Sequence, residues 1–80
     1  MTEEQMNKEA LMFYWQIKNK KDQDKALFLL GMWLGNKLTN DEVNKLLTLT
    51  NKLLIEYKNT PNNAPQIDKK YISYTWVSIE

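Results

Sequence analysis

Eighty residues leave room for one small domain at most. The 11 basic residues nearly cancel the 10 acidic ones, giving a net charge of +1, and with 42% hydrophobic side chains the composition is globular rather than disordered. Cysteine and histidine are both absent, which removes disulfides, thiol nucleophiles, imidazole bases and the usual zinc and haem ligand sets.

The first predicted helix covers about residues 3–19 and opens on Glu3 and Glu4, where carboxylates meet the positive end of the helix dipole. Met6, Ala10, Phe13 and Ile17 recur at helical spacing along one face, and Tyr14 widens that stripe. Leu11 and Trp15 lie one turn apart, well round the helix from the stripe, and Met12 sits among Lys8, Gln16 and Asn19. Two readings stay open for Leu11, Met12 and Trp15. Either the helix packs against two neighbours, or these residues form an exposed anchor for a protein partner.

The second predicted helix covers about residues 23–35, with Asp22 or Asp24 as its cap. From Ala26 to Leu34 it is apolar on every side, interrupted only by Gly31. A helix hydrophobic all round is expected to be buried all round, which makes it the hub of the fold. Gly31 is expected to admit a neighbouring aromatic ring, and Gly35 to act as the C-terminal stop. The run is too short to span a membrane, which takes roughly 18–20 apolar residues.

The third predicted helix covers about residues 40–59 and has the clearest local signal. Thr39 and Glu42 fit a capping box, with Leu38 and Val43 in the hydrophobic-staple positions. Val43, Leu46, Leu47, Thr50, Leu53, Leu54 and Tyr57 then trace one amphipathic face, and the biased residue before Pro61 ends the helix. Residues 60–66 read as a loop.

About residues 67–79 the period changes. Tyr71 to Ile79 is β-branched and aromatic with Ser and Thr interleaved, the pattern of a strand or short hairpin. The expected fold is therefore mainly α (α+β), a three-helix core with a C-terminal β-element. A strand needs a partner for its backbone groups. It can fold back as a hairpin on the helices, pair with a second copy as a homodimer, or add to another protein's sheet edge. Tyr71, Tyr74 and Trp76 accordingly join Leu11, Met12 and Trp15 as candidate interface residues.

The function classes narrow by chemistry. The acidic pairs Asp22/Asp24 and Asp41/Glu42 both fall at helix starts, where capping explains them, and two glycines cannot build a phosphate-cradling loop. No catalytic residue, metal site or cofactor is expected, and the chain is read as a non-enzyme. Every basic residue is Lys, although Arg is better fitted to phosphate and guanine. With abundant Asn and Ile this reads as the codon bias of an AT-rich genome.

The expectation is a small non-catalytic interaction module of regulator or inhibitor type that binds another protein. Small size and compositional bias also fit accessory proteins of phages or plasmids in low-GC bacteria. The acidic start, Met1-Thr2-Glu3-Glu4, is unlike a secretory signal, so a cytoplasmic location and no membrane partner are expected. The alternative is nucleic-acid binding. Three helices and a strand resemble the order of a winged-helix domain, with Leu38 to Val43 similar to its capped second-helix entry. In that reading Lys45, Lys52, Lys69 and Lys70 would contact nucleic acid, although nearby acidic residues dilute the basic face.

Overall fold

Thr2 starts the first helix. Its hydroxyl accepts from the Gln5 amide N–H at 3.1 Å, and the Gln5 side chain accepts from the Thr2 N–H at 3.1 Å. This capping box satisfies two amides that the helix itself leaves open. The computed structural model describes residues 2–66. They form α1 (Glu3–Ile17), α2 (Gln23–Gly35), α3 (Asn40–Glu56) and a single 3₁₀ turn, Pro61–Asn63. The second capping box lies at α3, where Thr39 and Glu42 exchange bonds of 3.1 and 3.3 Å. Those bonds hold the Glu42 carboxyl below its ordinary range, because they favour its charged form. At α2 it is Asp22 that caps, accepting from the Lys25 N–H at 3.0 Å.

The three helices pack together, and the α1–α3 contact is the most extensive. Met6, Ala10, Phe13, Tyr14 and Ile17 of α1 meet Val43, Leu46 and Leu54 of α3, with Ala26, Leu30 and Leu34 of α2 completing the core. Full burial of each large apolar side chain contributes about 1.5–3 kcal/mol. Thr50 is buried in the same stripe, and its hydroxyl donates to the Leu46 carbonyl at 2.8 Å. The polar atom is therefore matched inside its own helix.

Three expectations about α2 are corrected. It is not the hub: α2 packs mainly on α3 and touches α1 least. With only two companion helices among the described residues, α2 keeps an outer side that they do not cover, whatever its composition. Gly31 also faces no aromatic ring. A Cβ there would stand 3.0 Å from the Leu47 Cδ1 of α3, so the missing side chain admits an aliphatic one. Gly35 is the last helical residue, but it does not adopt the left-handed conformation of a glycine cap. Lys37 and Leu38 close the helix instead, each donating its N–H to the Leu34 carbonyl at 2.9 Å.

α3 ends at Glu56, before the expected limit, and α1 at Ile17. Beyond α3 the chain continues in tight turns: Thr60 N–H reaches the Tyr57 carbonyl at 3.3 Å, and Pro61 opens the 3₁₀ turn. Proline suits that first position because its missing N–H is not needed there. The described residues contain no strand, and the expected β-element at about 67–79 lies outside them. The architecture on view is mainly helical.

The two glycines give a stability prediction. Nothing lies within 4 Å of a Cβ built on Gly35, so Gly35→Ala should stabilise by roughly 0.5–1 kcal/mol through the helix preference for alanine. Gly31→Ala has the same gain but must displace a Leu47 methyl, so its net effect should be smaller. Thermal melts followed by circular dichroism check the order, and a larger rise for Gly31→Ala would reverse it.

Candidate interaction surface

The helical period places Ala26, Leu30 and Leu34 on one side of α2 and Phe28 and Met32 on the other. Leu30 is 0% exposed, whereas Phe28 is 67% and Met32 58% exposed. These two are neighbours at i, i+4, so their side chains form one outward apolar strip. Leu29 and Trp33 flank it and are half-buried. At the helix ends the strip is bordered by exposed Asp24 and Lys25 on one side and by Asn36 and Lys37 on the other. The Lys37 ammonium lies 5.1 Å from the Trp33 ring centroid, a cation–π contact that holds this side chain alongside the strip. On α3, Ile55 is also exposed, but its neighbours Asn51, Lys52 and Asn59 are polar, and a single exposed aliphatic needs no explanation.

The expected anchor on α1 divides differently. Met12 is 3% exposed, which corrects its reading as an outward anchor. Leu11 and Trp15 are half-buried against the core. The Trp15 Nε1–H donates to the Pro65 carbonyl at 2.8 Å, and the Lys18 ammonium sits 4.5 Å over the same ring. The Tyr14 ring meets Trp15 edge-on at 5.7 Å. Trp15 is thus engaged within its own chain on three sides. All three side chains pack toward their own chain, Met12 fully and Leu11 and Trp15 in part. Glu9, half-buried on this helix, has its carboxyl pushed up by burial.

Tyr71, Tyr74 and Trp76 lie outside the described residues, so nothing brings them to either helix face. Of the nucleic-acid candidates, Lys45 and Lys52 are exposed on the outer side of α3, where Asp41 and Glu56 share the row; Lys69 and Lys70 lie outside the described residues. α3 itself is one continuous helix of 17 residues, without the break that a helix-turn-helix requires.

The sequence reading missed Phe28 and Met32. A signal was present: two other helices cannot surround a third, so an all-apolar helix among the three described ones leaves apolar surface that those two do not cover. Among the described residues no three acidic side chains gather as a metal site, and no helix is long and apolar enough to cross a membrane. No protein-family model, no curated protein and no solved structure matches this chain.

Proposed function

We propose that this chain is a small, non-catalytic, cytoplasmic protein–protein interaction module of regulator or inhibitor type, and that it meets its partner through the outer face of α2. One observation carries the reading. α2 is apolar on all sides, its packing covers one side, and Phe28 and Met32 remain in solvent. Removing the rest of these two side chains from water contributes about 2–4 kcal/mol, by the usual value for large apolar groups. That is the size of a central hot spot surrounded by a polar rim. Lys25 and Lys37 supply such a rim.

The test is a comparison of baits. Wild type and a Phe28→Asp/Met32→Asp variant, matched for helix signal, are immobilised and exposed to lysate of a low-GC bacterium. Wild type should retain a discrete protein that the variant loses by tenfold or more. Equal capture by both would refute the assignment to α2. Duplex DNA is the competing occupant, and phosphate-dominated binding weakens by roughly 10³–10⁵ between 50 and 200 mM salt for six to ten contacts. With a net charge of +1, no such binding is expected. A salt-steep submicromolar affinity reduced by Lys45→Glu/Lys52→Glu would replace the interaction reading.

A further inference from the structure

A cavity of about 130 Å³ opens where the end of α1, the start of α2 and the end of α3 come together above the 3₁₀ turn. Buried Tyr14 and Leu54, half-buried Lys18, Gln23 and Tyr57, and exposed Lys58 line it. Tyr14 is 1% exposed, yet no hydrogen bond joins its hydroxyl to any of the described residues. Its nearest aromatic neighbour in this cavity is Tyr57, whose ring lies 6.1 Å away and edge-on. A buried tyrosine hydroxyl ordinarily has a partner, because a polar group left dry and unmatched is costly. An acceptor in the cavity would supply one.

The acceptor's charge follows from the lining. Two lysines and no acidic residue line the cavity. Two helix C-termini and one N-terminus meet here, which leaves roughly half a negative charge from the helix dipoles. The lysines outweigh it. Size bounds the ligand as well, since 130 Å³ is the liquid share of about four waters at ~30 Å³ each. Leu54, Pro61 and the two tyrosine rings offer apolar wall to a methyl or methylene group.

We propose that this cavity is a binding site for a carboxylate on a short aliphatic stem, which accepts a hydrogen bond from Tyr14 and is neutralised by Lys18 and Lys58. Burial, with the Tyr57 phenol beside it, pushes the pKa of the Tyr14 hydroxyl above its ordinary value, so it keeps its proton and remains a donor at neutral pH. The carboxylate can belong to a free small acid or to an Asp or Glu side chain of a partner. Only the second source rests on the interaction reading given above.

Amide chemical shifts read the site directly. Titration of full-length protein with acetate should move the amide signals of Gln23, Tyr57 and Lys58 saturably, while acetamide or sodium chloride at equal concentration should not. Tyr14→Phe removes only the hydroxyl, and Lys58→Met alters an exposed residue, so both should fold. Each should weaken acetate binding, Tyr14→Phe by about tenfold. N-acetyl-aspartate N-methylamide separates the sources: binding at least as tight as acetate assigns the site to a partner's acidic side chain, and binding of acetate alone assigns it to a free acid. Absence of saturation, an equal response to acetamide, or unchanged binding in Tyr14→Phe would show a cavity that holds only water and would overturn the proposal. That outcome leaves the α2 surface untouched, because the bait comparison does not involve this cavity.

Discussion

Leu30→Asp is expected to unfold the protein, while Phe28→Asp, two residues away on the same helix, should leave it folded. Leu30 is fully buried between α2 and α3, and a carboxylate placed there has no cation to pair with. An unpaired buried charge costs several kcal/mol, against a total stability of about 5–15 kcal/mol for a native domain. Phe28 is 67% exposed, so an aspartate there keeps its hydration and loses only a few tenths of a kcal/mol of helix preference. Circular-dichroism melts should show no cooperative transition for Leu30→Asp and a shift of a few degrees for Phe28→Asp. A Leu30→Asp protein that melts like wild type would mean that α2 does not pack through this stripe. An unfolded Phe28→Asp protein would mean that the outer face of α2 is already covered in the native chain, and would remove the proposed interaction surface with it.

The contrast between these positions also shows what the sequence could reveal. Thr39 and Glu42 were legible as a cap because a capping box is local: four consecutive positions contain the whole interaction. The α1 and α3 stripes were legible because their polar faces say which side points inward. α2 has no polar face, so its sequence is silent about direction, and the choice between Leu30 and Phe28 is made by the neighbours. Met12 was ambiguous for a related reason, since polar residues flank it on α1 although it is buried. Thr2 and Gln5 form a box at the correct offset that the acidic pair Glu3 and Glu4 obscured. The candidate surface on α2 was therefore hidden in plain composition. It emerges only when the number of companions available to that helix is known.

Trp15→Ala should destabilise the fold by roughly 2–3 kcal/mol, below the 3–5 kcal/mol of a fully buried tryptophan because this one is half-buried. The loss combines ring packing against the core, the cation–π contact with Lys18 and the bond to Pro65. That last bond ties the segment after α3 to α1 across 50 positions of sequence. Trp15→Phe keeps an aromatic ring but removes the donor together with part of the indole, so its cost should lie between the ~0.5–1.5 kcal/mol of one hydrogen bond and the full loss of Trp15→Ala. The two variants separate the readings that the sequence left open. An anchor for a partner could be removed with little effect on melting but with loss of the retained protein. A residue that organises its own chain does the reverse, lowering the melting temperature in the order Ala before Phe. It also loosens the 3₁₀ turn, where the Asn63 and Ala64 amides are bonded at 2.9 and 3.2 Å. Hydrogen exchange at those two amides should accelerate in Trp15→Ala more than at the Leu46 or Thr50 amides in the middle of α3, because local opening needs only the Pro65 tether to fail. Unchanged exchange at Asn63 and Ala64, with unchanged melting, would return Trp15 to the list of partner contacts.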